Sequence, residues 1–406
     1  MVYQPPAGAR DLLPLDVTQK SWIEQRLEQM FHRWGYHRII TSTLERMDTL
    51  MAGGAIQRST VINLHNSENE ELGLRPELTA SIARTAVTHM GDASYPQRLY
   101  YNANVFRRTR ELQHNRQQEF YQVGVELLGG GGLVADAEIL LLLTNCLRSL
   151  SLKNWHLILG EAQITASLLS SFPEDIRPQV RSAIASLDRI AIDLLPLSEE
   201  LQERARNIMD LRGNPTEVLT KLKAWNLDSQ QQSAVDNLQS LVDLLCNQHK
   251  SLPIPLILDL SLIQTIDYYT GIVFEIVSKT DNQTRVLGTG GRYDKLLGMY
   301  HPQKQDIPGI GFAVFIEDLY QVLLSTQQLP ETIPAINWLV VPQNQEAYNT
   351  AFAYAEKLRD STHLVRVEIE LGGKNPDNIR QYARDRGITK IAWVTPDNSP
   401  TIESVN

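Results

Sequence analysis

The chain has 406 residues, 42% of them hydrophobic, enough for two or three domains with cores of their own. A formal net charge of -9 argues against a protein built mainly to grip nucleic-acid backbone, though it leaves room for a local basic groove. Cys146 and Cys246 stand a hundred residues apart and indicate neither a zinc site nor a disulfide framework. No basic segment followed by an apolar run opens the sequence, and the richest apolar run, 139–143, is far too short to span a bilayer. The expectation is a soluble, cytoplasmic protein.

Residues 17–34 carry Ile23, Leu27, Met30, Phe31 and Trp34 on one helical stripe, and Gly35 supplies a stop. Residues 36–44 read as a strand, and 72–90 as a short strand running into a helix. In LRPELTA, Glu77 and Thr79 share a side if that piece is extended; the other reading is an acidic residue beside a helix cap. The stretch 105–129 is the most informative. Its second half alternates with period two, placing Tyr121, Val123, Val125 and Leu127 on one face and Gln122, Gly124 and Glu126 on the other. A glycine between a carboxamide and a carboxylate leaves room for something to lie against the sheet. Arg107, Arg108, Arg110 and Arg116 crowd the preceding strand end and loop. Two readings stay open from these residues: an edge hairpin with a solvated charged loop, or a floor for a small zwitterion with arginines placed for a phosphate.

Residues 129–132 form a four-glycine turn before an apolar helix at 135–150. From 161 to roughly 250 the pattern is helical and polar-amphipathic, punctuated by Pro173, Pro178, Pro196 and Pro215, and reads as a helical insertion. Strands return at 256–263, 272–277 and 284–287, the last two joined like a hairpin and followed by GTGGRYDKLLG. Residues 314–324 read as a helix and 325–335 as a linker. In the tail, strands at 338–341, 365–369 and 390–394 alternate with two helices, the second entered by Asn375-Pro376, which suggests a small α/β domain with a largely parallel sheet. That tail holds eight basic and nine acidic residues.

Generic signatures do not identify a chemistry. GTGGRY is only a partial glycine-rich pattern, GGKN lacks the rest of a phosphate-binding loop, and neither HExxH nor GxSxG occurs. Taken in order, however, seven segments resemble the histidyl-tRNA synthetase family: GARDLLP (8–14), LRPELT (74–79), PQRLYY and VFRR within 96–108, EFYQVGVELLG (119–129), IDYYTGIVFE (266–275), GGRYD (290–294) and PGIGFAV (308–314). The resemblance implies an α+β fold with a class II aminoacyl-tRNA synthetase-like antiparallel sheet core at 1–325, a helical insertion at about 161–250, and a truncated anticodon-binding-like α/β domain at 336–406. It also implies a histidine pocket formed by Glu77, Thr79, Arg107, Gln122, Glu126, Tyr268 and Tyr269.

The departures from that family concern the nucleotide. The arginine expected shortly before DYY is Gln264, and its neighbouring glycine is Thr265. The family's closing GLER corresponds to Phe315, Ile316, Glu317 and Asp318, so a glycine has become a ring and an arginine an aspartate. Thr109 stands where glutamate is usual, and Ser42 where proline is usual. Losing one charge-stabilising group typically costs about 2–4 kcal/mol of transition-state stabilisation. A histidine pocket without an ATP site resembles the synthetase-like regulatory subunits of ATP phosphoribosyltransferase. That resemblance implies a non-catalytic chain acting in the first step of histidine biosynthesis. It would form a self-dimer within a hetero-oligomer with the short-form catalytic subunit, take histidine as feedback effector, and need no cofactor, metal, tRNA or membrane. The alternatives are an active histidyl-tRNA synthetase and a synthetase-like RNA- or partner-binding module.

Overall fold

The computed structural model describes residues 3–52, 54, 56–66, 68–91, 93–108, 117–248, 253–263, 268–279, 283–372, 374–396 and 399–405. Thr109, Arg110, Arg116, Gln264 and Thr265 lie outside the described residues. The chain divides into two compact units, one comprising Met1–Asp11 and Gln19–Leu329, the other Leu12–Thr18 and Pro330–Asn406.

The chain opens with α1 (Pro14–Arg33), β1 (His37–Arg38), β2 (Leu44–Arg46), α2 (Met47–Ala52), β3 (Ile62–His65) and β4 (Glu71–Leu74). Next come α3 (Thr79–His89), β5 (Gln97–Phe106), β6 (Glu119–Leu128), α4 (Gly132–Ser149) and β7 (Trp155–Glu161). The helical stretch holds α5 (Ala162–Leu169), α6 (Arg177–Ala185), α7 (Arg189–Leu194), α8 (Glu199–Met209), the short β8 (Arg212–Gly213), α9 (Pro215–Lys223) and α10 (Ser229–Gln248). β9 (Leu256–Asp259), β10 (Ile272–Lys279), β11 (Thr284–Arg292), α11 (Leu296–Tyr300), β12 (Gly309–Phe315) and α12 (Ile316–Ser325) complete the first unit.

Nine strands form its main sheet in the order β1-β5-β6-β12-β11-β10-β7-β9-β8. From β5 to β7 every neighbour is antiparallel, while β1 joins β5 and β9 joins β7 in parallel. One face is covered by α1 and α4: Ile23, Leu27 and Phe31 with Ile139, Leu143 and Leu147 bury Val123, Val125 and Leu127. The period-two pattern of β6 therefore does what alternation dictates, giving its aliphatic set to the core and its polar set to the opposite face. A second apolar cluster, with Leu78, Ile82, Tyr101, Tyr268 and Tyr293, frames that opposite face. β2, β4 and β3 make a separate small antiparallel sheet.

Several boundaries differ from expectation. The 36–44 strand is realised only as β1 and β2, because Arg75 interrupts it: its guanidinium donates to the carbonyls of Thr41 (2.9 Å) and Ser42 (3.3 Å). β9 stops at Asp259, whose carboxylate turns the chain by accepting from Ser261 N (2.9 Å) and Oγ (2.6 Å). GTGGR is strand, not a turn after one, since Gly288–Arg292 pairs with β12 and its first four residues also pair with β10. Val314 and Phe315 end β12, opposite Val123 and Gln122, and the helix begins only at Ile316.

In the second unit β13 (Trp338–Pro342), α13 (Tyr348–Arg359), β14 (Val367–Ile369), α14 (Pro376–Asp385), β15 (Lys390–Val394) and β16 (Thr401–Ser404) build a sheet of order β14-β13-β15-β16. The first three strands are parallel; β16 adds antiparallel to β15. Ile379 and Ala383 of α14 pack on Leu339 and Val341, while Ala351 and Ala355 of α13 pack on Val340 and Val394. Helices thus cover both faces, as a buried parallel sheet requires. Asn375 caps α14 by accepting from Asn378 N (2.8 Å), with Pro376 in the first turn.

Candidate functional site

On the face of the main sheet away from α1 and α4 lies a cavity of about 410 Å³, including its open mouth. Glu77, Thr79, Arg107, Gln122, Tyr268 and Tyr269 line it, together with Tyr101, Thr289, Tyr293, Gly311, Ala313 and Phe315. Six of the seven residues expected to form a histidine pocket therefore meet in one place. The seventh, Glu126, is 1% exposed and sits behind the lining.

The floor follows from strand register. β6 turns Gln122, Gly124 and Glu126 to this face, and antiparallel β12 sets Phe315, Ala313 and Gly311 opposite them. Gly311 has to be glycine, because a Cβ there would overlap the Glu126 carboxylate and the Val125 carbonyl. Gly124 is equally constrained: the Tyr101 ring, itself 1% exposed, occupies the space its Cβ would need.

Glu126 is held on both oxygens. Thr79 Oγ1 donates to Oε1 at 2.7 Å, and the Tyr293 hydroxyl donates to Oε2 through a short bond. Burial pushes the Glu126 carboxyl up to about 8, outweighing these two bonds, which favour the charged form. Glu77 precedes α3 rather than lying in a strand. Its carboxylate accepts from the backbone N–H of Thr79 (2.6 Å) and Ala80 (2.9 Å), the unpaired donors of a helix start. Of the two readings of Glu77 and Thr79, the acidic residue beside a helix start is what occurs, and both side chains face the cavity. Burial raises the Glu77 carboxyl, opposed by those N–H groups and by the charge of Arg107.

Arg107 Nε donates to the Pro76 carbonyl at 2.9 Å, and its terminal nitrogens reach no acceptor among the described residues. Gln122 is 3% exposed, and its carboxamide has no hydrogen-bond partner among the described residues. Tyr268 stands edge-on to Tyr269 (centroids 5.0 Å) and to Tyr293 (5.7 Å), and burial keeps all three phenols protonated as hydroxyl donors. The set offers carboxyl groups for an ammonium or imidazole N–H, aromatic walls, and a guanidinium with a carboxamide for a carboxylate.

The positions expected to have lost a nucleotide role divide. Phe315 lines the cavity. Asp318, in the first turn of α12, pairs with Arg285 of β11 at 3.2 Å. Beside it Glu317 accepts from Tyr121 N (3.0 Å) and lies 3.7 Å from Arg10. Gln264 is outside the described residues. Sequence reasoning did not pick out Tyr101, Thr289 or Tyr293; Tyr293 lay within the quoted GGRYD, and nothing in that motif shows that its hydroxyl reaches Glu126. Among the described residues no group of three or more His, Cys, Asp or Glu could hold a metal ion, and no helix is long and apolar enough to cross a membrane.

Comparison with known proteins places this geometry. The histidyl-tRNA synthetase family model matches residues 8–319. A Nostoc punctiforme protein named ATP phosphoribosyltransferase regulatory subunit is 69% identical over 405 residues, covering all of both chains. One of the same name from Gloeothece citriformis is 57% identical over 408 residues, again covering both chains. Among solved structures, an ATP phosphoribosyltransferase regulatory subunit/histidyl-tRNA synthetase from Bacillus halodurans is 26% identical with a TM-score of 0.81, covering 97% of this chain and 99% of that one. Histidyl-tRNA synthetase from Nostoc sp. PCC 7120, at 19% identity and a TM-score of 0.80, shares the fold over 100% of this chain and 95% of its own. The chain belongs to the histidyl-tRNA synthetase-like family of ATP phosphoribosyltransferase regulatory subunits.

Proposed function

We propose that this chain is the non-catalytic regulatory subunit of ATP phosphoribosyltransferase, and that it senses histidine in the cavity floored by β6 and β12. It assembles with a short-form catalytic subunit, is required for that subunit's activity in the first step of histidine biosynthesis, and dimerises within the hetero-oligomer. The observation that carries the reading is the contrast between a cavity with unfilled polar capacity, at Gln122 and Arg107, and an α12 corner where Asp318 is already neutralised by Arg285. Glu77, Thr79, Glu126, Tyr268 and Tyr269 supply the acceptors and walls for an ammonium and an imidazole. Phe315 and the reversed charge at Asp318 argue against adenylation, and the near-neutral tail, 336–406, against tRNA as a partner. That tail serves as a reduced, anticodon-binding-like domain. Feedback requires the inhibited assembly to bind histidine more tightly than the active one; equal affinity shifts nothing.

The test is phosphoribosyl-ATP formation by the short catalytic subunit, with and without this chain, followed by a histidine titration. Activity that appears only in the mixture and falls as histidine rises supports the reading. No effect of mixing, together with histidine-dependent ATP–pyrophosphate exchange by this chain alone, replaces it with an active synthetase.

A further inference from the structure

The cavity has a direction. Along β6, Glu126 and then Gln122 run from its inner end outward, toward Gln118 just before the strand, and at about 3.3 Å per residue the step from Glu126 to Gln122 covers roughly 13 Å. Opposite them β12 presents Gly311, Ala313 and Phe315, so the facing side chain grows from none to a methyl to a ring toward the mouth. Directly paired residues on one face of an antiparallel sheet hold their Cβ atoms about 5 Å apart, which sets the Phe315 ring beside the Gln122 carboxamide. Arg107 joins this outer end, its N–H bonded to the Gln118 carbonyl at 2.9 Å. The inner end is already satisfied, with Glu126 shared between Thr79 and Tyr293. The outer end is not: among the described residues, Gln122 and the terminal nitrogens of Arg107 keep unused donors. A carboxylate answers those donors, and the ring of Phe315 stands where anything attached to that carboxylate would extend.

We infer that Phe315 is a specificity-determining residue that limits how far a ligand can extend beyond its α-carboxyl carbon, excluding those that carry a bulky ester or amide substituent there. This rests on histidine being the ligand of the cavity. The exclusion is steric and separate from charge. A small amide loses only the ion pair with Arg107, whereas a bulky amide also meets the ring.

Calorimetric titration of the full chain with L-histidine, L-histidinamide and L-histidine β-naphthylamide separates the two terms. In the unaltered chain the naphthylamide binds about 30-fold more weakly than histidinamide, in the range over which pocket shape discriminates. In Phe315→Ala that ratio shrinks to less than about threefold, because each variant is its own reference and only the steric term is relieved. Phe315→Leu, closer in volume, falls between them and serves if the alanine variant does not fold. A ratio that is unchanged in folded variants still binding histidine overturns the assignment, as does an unaltered chain that takes both amides equally. Failure of the unaltered chain to bind histidine at all overturns instead the reading on which the assignment rests.

Discussion

The cavity floor and the start of α12 adjoin at the C-terminal end of β12, where Phe315 faces Gln122 and Ile316 opens the helix, yet they treat polar groups in opposite ways. At the floor, the Gln122 carboxamide and the terminal nitrogens of Arg107 line the cavity with no hydrogen-bond partner among the described residues. At the α12 corner, Asp318 is matched to Arg285, and Glu317 to Tyr121 N and Arg10. Polar groups left open to a cavity keep their hydrogen-bonding capacity for whatever binds there. The corner carries more charge and signals less, because its charge is complete. Incomplete satisfaction, rather than the number of ionisable groups, separates the region that can sense from the region that has closed.

The strongest way to break this contrast is at the inner end of the floor. Glu126→Ala removes the acceptor of Tyr293 and Thr79 and leaves a buried hydroxyl and a half-buried one facing a hole. Histidine affinity falls by about 30- to 100-fold in calorimetry, and the midpoint of histidine inhibition rises in parallel. If the affinity stays within about threefold, the effector site lies elsewhere. The outer end is next. Arg107→Ala weakens histidine by about tenfold but leaves histidinamide nearly untouched, since only the former carries a carboxylate. Equal losses for both ligands would mean that Arg107 shapes the cavity instead of binding in it.

How much of this contrast could be read before folding depends on how local its cause is. The face of Gln122 and Glu126 was legible, because period two in β6 translates directly into sides of a sheet. The alternation of strands and helices in 338–394 was legible too, since Asn375-Pro376 and the apolar runs mark these elements. Two readings of Glu77 were open, an extended one and one beside a helix start, and the N–H groups of Thr79 and Ala80 decide for the second. Tyr101, Thr289 and Tyr293 were not legible, because their roles arise across strands: the Tyr101 ring lies under Gly124, and the Tyr293 hydroxyl meets Glu126 from 167 residues away. β16 was missed for a related reason. Its only aliphatic residue is Ile402, and it is held largely by Glu403, which accepts from Arg380 (2.7 Å) and Trp393 Nε1 (2.8 Å).

A smaller effect appears in pH dependence. In the folded chain the Glu126 carboxyl is raised from 4.5 to about 8 and that of Glu161, the cap of α5, to about 7, both mainly by burial. The folded chain therefore holds protons that the unfolded chain has released. The stability this confers is complete below about 4.5 and is lost as pH rises through about 8. The unfolding temperature falls between pH 6 and pH 9, and falls less in Glu126→Gln, which keeps an acceptor but cannot titrate. The same fall in both proteins would mean that Glu126 is ionised throughout.

The smallest effect is expected at the corner, and it is the one that tests the contrast from its other side. Arg285 and Asp318 approach to 3.2 Å, but their side chains are 32% and 36% exposed. Water screens such a pair, and exposed ion pairs contribute less than about 1 kcal/mol. Burial also raises the Asp318 carboxyl against the pull of Arg285, so the aspartate gains little from being charged. Asp318→Asn keeps the shape and removes the charge. Its unfolding free energy in urea changes by less than about 1 kcal/mol and its histidine affinity by less than about twofold, because Asp318 is bonded to Arg285 and does not line the cavity. A tenfold loss of histidine affinity in Asp318→Asn would show the corner and the floor to be one coupled site, and Arg285 would then have to be counted among the groups that a ligand feels.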